Sequence, residues 1–127
     1  MVRILIVEDN PLNLKLASLI LANAGYQIDS ATDAEEAERA IAAARPDLIL
    51  MDLGLPGKDG YAFTRELRAR DELRQIPILA VTSFAMKGDR AKAIEAGCTA
   101  YLTKPINSQS LLANVHALLP RPAEGIA

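Results

Sequence analysis

The sequence predicts an α/β fold, a doubly wound parallel sheet of five strands in the order 2-1-3-4-5. Three observations predict it. Five short apolar runs alternate with five segments of helical periodicity, with no internal repeat, low-complexity stretch or long linker between them. That alternation calls for a parallel sheet covered on both faces, and right-handed crossovers favour the doubly wound order. The length, 127 residues, suits one domain and is too short for an eight-fold barrel.

The first run, Val2 to Val7, is rich in β-branched residues and stops at Glu8-Asp9. Asn10-Pro11 opens a helix, with proline near the first position, where its missing N–H costs nothing. Leu12, Leu16, Leu19 and Ile20 recur at helical spacing and give that helix an apolar face, and Gly25 caps its end. Tyr26 to Ala31 forms a short, half-polar strand. Asp33 caps an alanine-rich helix over 34–44, whose stripe is Ala37, Ala40, Ile41 and Ala44.

Pro46 breaks that helix, and Leu48 to Met51 makes a third strand ending at Asp52. Gly54, Pro56, Gly57 and Gly60 crowd the following loop, as a tight, shaped turn requires. A helix from Tyr61 to about Arg70 carries Phe63 and Leu67 on one face. The fourth strand runs from Ile76 to Val81 and ends at Thr82-Ser83, and a shorter helix over 87–96 stops at Gly97. Thr99 to Leu102 is the fifth strand, ending at Thr103-Lys104-Pro105. The last helix, Ser108 to Leu119, turns Leu111, Leu112, Val115, Leu118 and Leu119 to the core. Residues 1–120 are thus expected to be the domain and 121–127 a flexible tail.

Fourteen Lys and Arg against sixteen Asp and Glu leave a formal charge of -2, which supports neither bulk nucleic-acid attraction nor membrane binding by charge. No stretch has the roughly 18 continuous apolar residues of a membrane span. The lone cysteine, Cys98, excludes an internal disulfide and a Cys-based metal site, so a reducing compartment, the cytoplasm by default, is expected. Cys98 reads as a small packed residue near the last strand, and His116 as a surface or boundary side chain. Arg65, Arg68, Arg70 and Arg74, interspersed with acids, read as a solvated face.

In a doubly wound sheet ligands bind beyond the carboxyl ends of the strands. Four of those ends carry chemistry: Glu8-Asp9, Asp52, Thr82-Ser83 and Lys104. Strands one, three, four and five are neighbours in the predicted order, so these groups converge on one shallow cleft. Three close carboxylates repel one another unless a hard cation intervenes, and Mg2+ prefers oxygen ligands together with phosphate oxygens. Lys104 supplies a compact positive charge and Thr82 a hydroxyl donor, both suited to phosphoryl oxygens. An already ionised carboxylate needs no general base to attack phosphorus. Other phosphate chemistry fits poorly. There is no GxxxxGK[ST] loop and no glycine-rich turn after the first strand, and position 54 is glycine where a haloacid-dehalogenase-type phosphatase needs a second Asp.

Ile-Leu-Ile-Val-Glu-Asp-Asn at 4–10, Pro-Asp-Leu-Ile-Leu-Met-Asp at 46–52, Leu-Pro-Gly-Lys-Asp-Gly at 55–60, Val-Thr-Ser at 81–83 and Tyr-Leu-Thr-Lys-Pro at 101–105 stand in order along the chain. This set resembles the receiver domain of bacterial two-component response regulators over about residues 3–119. Val-Glu-Asp-Asn-Pro and the Phe-Ala-Met-Lys-Gly-Asp of 84–89 are most similar to single-domain, DivK-type cell-cycle regulators and to receivers of hybrid histidine kinases.

The resemblance implies a flavodoxin-like, CheY-like three-layer sandwich in which Asp52 takes a phosphoryl group from a phosphohistidine on a histidine kinase or histidine phosphotransferase. It implies Mg2+ on Asp9, Asp52 and the backbone carbonyl of Gly54, with Glu8 binding directly or through water. Lys104 would pair with the acceptor and then the phosphoryl group, and Lys104-Pro105 would be a cis peptide. Thr82 and Tyr101 would form a switch that alters the face of the fourth helix, fifth strand and fifth helix toward a downstream protein target. Such a domain catalyses its own phosphorylation and slow dephosphorylation but is primarily a signalling protein, with no direct nucleic-acid or membrane contact. Ser83 stands where a small apolar residue is usual, and bare Gly54 and bulky Phe84 pull the phosphate lifetime in opposite directions. Two other readings stay open: a phosphorylation-independent binding module of the same fold, and a receiver excised from a hybrid kinase or transcription factor.

Overall fold

In the computed structural model, which describes residues 2–83 and 88–119, five strands and five α-helices alternate along the chain. They are β1 (Arg3–Val7), α1 (Pro11–Asn23), β2 (Gln27–Ala31), α2 (Ala34–Ala43), β3 (Leu48–Asp52), α3 (Gly60–Arg68), β4 (Ile78–Thr82), α4 (Asp89–Ala96), β5 (Ala100–Thr103) and α5 (Ser108–Leu118). The strands form one parallel sheet in the order β2-β1-β3-β4-β5, as the sequence predicts. The chain steps from β1 outward to β2 and then back across to β3. The crevice at that reversal opens at the carboxyl ends of β1 and β3.

The central strands are apolar on both faces because both are covered. Leu5, Val7, Ile49, Met51, Ile78 and Ala80 pack with Ala37 and Ile41 of α2, Phe63 and Leu67 of α3 and Ala93 of α4. The alternate residues, Ile4, Ile6, Leu48, Leu50, Leu79 and Val81, pack on the other face with Ala17 and Leu21 of α1 and Leu111 and Val115 of α5. The period of two thus divides the chain into three layers. Cys98 is buried and His116 exposed, in keeping with their expected places.

Helix ends follow local chemistry. Asn10, Asp33, Asp59 and Asn107 each accept backbone N–H bonds at the start of a helix. Helix α1 ends at Asn23, with Ala24 as its C-cap and the positive-φ Gly25 just beyond. Helix α4 has no side-chain cap and instead lies between two left-handed glycines, Gly88 and Gly97.

Three expectations need correction. Leu12, Leu16 and Leu19 of α1 are exposed, and the buried positions are Ala17 and Leu21. Small Ala17 lets the helix backbone approach the sheet closely, which rotates the leucine stripe outward. Helix α3 ends at Arg68 rather than Arg70, and a 3-10 turn over Asp71–Leu73 leads into a later, shorter β4. Arg68 also leaves the solvated face assigned to it. Its guanidinium donates to the carbonyls of Gly97 at 2.8 Å, Ile76 at 2.6 Å and Arg74 at 2.9 Å, and to Thr99 Oγ1 at 3.2 Å. The expected tail and the first residue of the expected fourth helix, Lys87, lie outside the described residues.

Candidate functional site

Four neighbouring strands, β1, β3, β4 and β5, deliver polar or charged groups as the backbone leaves the sheet. Strand β1 ends at Val7 and hands over Glu8 and Asp9, β3 ends on Asp52, β4 ends on Thr82, and β5 leads to Lys104. The Lys104 N–H donates to the Thr82 carbonyl at 2.8 Å, which extends the β4–β5 pairing and brings the lysine over the sheet edge. The Lys104–Pro105 peptide is cis. Around these ends lies a cleft of about 200 Å3, lined by Glu8, Asp9, Asp52, Gly54, Thr82 and Lys104, and also by Asn10, Asn13 and Ser83.

One oxygen from each of Glu8, Asp9 and Asp52 falls within a cluster no wider than 4.8 Å. Glu8 and Asp52 are buried, at 4 % and 5 % exposure, while Asp9 is exposed. The two buried carboxylates are held alike. Glu8 Oε2 accepts the Asn10 N–H at 3.1 Å, and Asp52 Oδ1 accepts the Gly54 N–H at 3.0 Å. Their other oxygens face Lys104, whose Nζ lies 2.7 Å from Glu8 Oε1 and 3.4 Å from Asp52 Oδ2.

Burial pushes the Asp52 carboxyl above its ordinary range. The Gly54 N–H bond counters this, the adjacent Glu8 carboxylate adds to it, and Lys104 opposes it. For Lys104, burial works against the ammonium form, but the hydrogen bond to Glu8 and the charges of Asp52 and Glu8 outweigh it and leave the group raised. Anionic charge therefore exceeds what the single ammonium offsets. Three hard oxygen donors within one small cluster suit a divalent cation of the Mg2+ class.

Tyr101 lies outside the cleft. It is half-buried on β5, paired in register with Ala80, and packs against the core beneath α2, α3 and α4. Burial raises its phenol above the ordinary value, with Asp89 adding to the effect and Arg90 opposing it. Phe84 and residues 85–87 lie outside the described residues.

Nothing in the sequence marks Asn10 and Asn13 as lining the cleft. Asn10 was legible as a helix opener, and its side chain does accept the Leu12 and Asn13 N–H groups, at 3.0 and 3.1 Å. One turn of helix then carries Asn13 back over the cleft. The neutral amide of Asn13 stands in no charge or ligand pattern that would have marked it.

Residues 4–116 match the response regulator receiver domain. The polar-differentiation response regulator DivK of Brucella anthropi is 42% identical over 116 residues, covering 91% of this chain and 94% of DivK. DivK of Brucella ovis is 40% identical with the same coverage. Among solved structures, the receiver domain of a Pseudomonas aeruginosa sensor histidine kinase, with a magnesium ion coordinated in its active site cleft, is 40% identical at a TM-score of 0.83. That match covers 91% of this chain and 95% of the other. The chemotaxis protein CheY4 of Vibrio cholerae is 29% identical at a TM-score of 0.88, covering 94% of this chain and 99% of CheY4. The chain belongs to the family of response regulator receiver domains.

Proposed function

We propose that this receiver domain accepts a phosphoryl group on Asp52 from a phosphohistidine of a histidine kinase or histidine phosphotransferase. In consequence it changes its contacts with a downstream protein through the face made by α4, β5 and α5. The observation that carries the reading is the convergence of Asp52 with Glu8, Asp9, Thr82 and Lys104 at four neighbouring strand ends. A buried carboxylate beside two others and one lysine has little structural use, since like charges at this spacing oppose folding.

In the transfer an Asp52 carboxylate oxygen forms a bond to phosphorus as the bond from phosphorus to the donor imidazole nitrogen breaks, and the imidazole leaves with that electron pair. Asp9, Asp52 and the Gly54 carbonyl would hold Mg2+, with Glu8 acting directly or through water. The ion would supply the positive charge that offsets repulsion between the carboxylate and the anionic phosphoryl group. Lys104 has three N–H donors and reaches a phosphoryl oxygen on the Asp52 side of the cleft. Thr82, buried at the end of β4, offers its hydroxyl to a second oxygen. Movement of that hydroxyl toward the phosphoryl group, with inward rotation of Tyr101, would carry the change to α4 and β5.

Incubation with phosphoramidate and Mg2+ tests the reading. The wild type should gain the mass of one phosphoryl group, and Asp52→Asn or excess EDTA should abolish the gain. Unchanged wild-type mass with donor and ion in excess would leave a protein-binding module of the same fold.

A further inference from the structure

Lys104 is closer to Glu8 than to the acceptor. Its Nζ is 2.7 Å from Glu8 Oε1 and 3.4 Å from Asp52 Oδ2, so only the first contact has the length of a strong charge-assisted hydrogen bond. The lysine side chain is only 10% exposed, so this pair has lost most of the solvent screening that makes surface ion pairs weak. The other Glu8 oxygen is tied to the Asn10 N–H at 3.1 Å, which fixes the carboxylate plane and aims Oε1 at the lysine. Asp9, by contrast, is exposed and has no hydrogen bond or ion pair among the described residues.

The three carboxylates therefore have different tasks open to them. Glu8 already holds two protein donors, Asp52 holds a backbone N–H and a longer lysine contact, and Asp9 is uncommitted. We propose that Glu8 is a positioning residue for Lys104: it holds the ammonium back from Asp52 in the resting domain and releases it when a cation and a phosphoryl group enter the cleft. This rests on the phosphoryl-acceptor reading of the site and adds a resting position for its lysine. The length of the glutamate arm makes it possible. An aspartate at position 8 would withdraw the carboxylate by roughly 1.5 Å, one carbon–carbon bond, beyond hydrogen-bond reach of Nζ where it now stands.

A carboxylate engaged by an ammonium is a poorer cation ligand, so the clamp and the cation compete for Glu8. Glu8→Asp keeps the charge and the oxygen ligand type but loosens the clamp. It should bind Mg2+ at least about threefold more tightly than wild type by calorimetric titration, since the cation no longer has to displace the ammonium from the carboxylate. A Glu8 that served only as a ligand would give unchanged or weaker binding. Double-mutant cycles on unfolding in EDTA supply the second readout, with Glu8→Gln, Asp52→Asn and Lys104→Met. The Glu8–Lys104 coupling should exceed the Asp52–Lys104 coupling. An Asp variant that binds Mg2+ no more tightly than wild type, or a Glu8–Lys104 coupling no larger than the other, overturns the proposal. Neither readout requires phosphorylation, so failure of phosphoramidate to load Asp52 would strike the functional reading and leave the clamp standing.

Discussion

A Cβ on Gly60 would stand 2.5 Å from the backbone carbonyl oxygen of Asp52 and 2.7 Å from the Cα of Leu53. The start of α3 is thus pressed onto the chain that carries Asp52, and the Gly60 N–H donates to the Leu53 carbonyl at 3.1 Å. Both obstructing groups are main chain and cannot swing aside. Gly60→Ala should therefore destabilise the fold by about 2 kcal/mol in urea unfolding, the usual cost of forcing a methyl into a packed site. A variant as stable as wild type would show that the β3–α3 loop yields easily.

Arg68 ties the far end of the sheet together. It bridges the end of α4, the segment before β4 and the start of β5, and its partners among the described residues are all neutral oxygens. Burial accordingly lowers its guanidinium below the ordinary value, with Cys98 opposing the shift. Arg68→Ala leaves several carbonyls, most of them part-buried, without this partner and should cost about 1–3 kcal/mol in the same assay. Arg68→Lys should recover less than half, because one ammonium cannot span the fork of contacts. Full recovery by lysine would refute the fork as the source of stability.

The contrast between these residues shows what the sequence could reveal. Asp52, Thr82 and Lys104 were legible because each interrupts an apolar run, and alternation of strands with helices fixes which run ends sit side by side. The exposed face of α1 was not legible. Leu12, Leu14, Leu16, Leu19, Ile20 and Leu21 leave hardly any polar side to orient the helix, and close packing of small Ala17 decides instead. Arg68 looked like its neighbours because its acceptors are neutral oxygens, mostly backbone carbonyls, up to 31 residues away, which no charge pattern announces. The preference of Lys104 for Glu8 over Asp52 depends on one methylene of reach, a matter of geometry rather than residue type.

The raised Asp52 carboxyl makes a prediction about pH. Because its folded value lies above the unfolded value of 3.8, the folded state holds this proton more tightly. Stability of the metal-free protein from this group is greatest below 3.8 and falls as pH rises through the folded value, where the buried carboxylate ionises. Asp52→Asn removes that penalty, so in EDTA it should be more stable than wild type at neutral pH. The advantage should shrink as the solution is acidified. Equal stability at neutral pH, or a growing advantage toward acid, would contradict the assigned sign.

The proposed switch is testable by resonance assignment. Adding beryllofluoride with Mg2+ should shift the amide signals of Thr82, residues 88–97 and Tyr101 as well as those beside Asp9 and Asp52. The ends of α4 would allow such a response, since left-handed glycines at 88 and 97 bound it and its N-cap has no side-chain hydrogen bond. Shifts confined to the cleft loops would remove α4 and β5 from the response.

The site of modification is the most direct test of the whole account. After reaction with phosphoramidate and Mg2+, borohydride reduces an aspartyl phosphate to homoserine, which peptide mass spectrometry locates. The account predicts homoserine at position 52 and nowhere else. Homoserine at position 9, or a phosphoryl group that survives reduction on a hydroxyl or on His116, would contradict it.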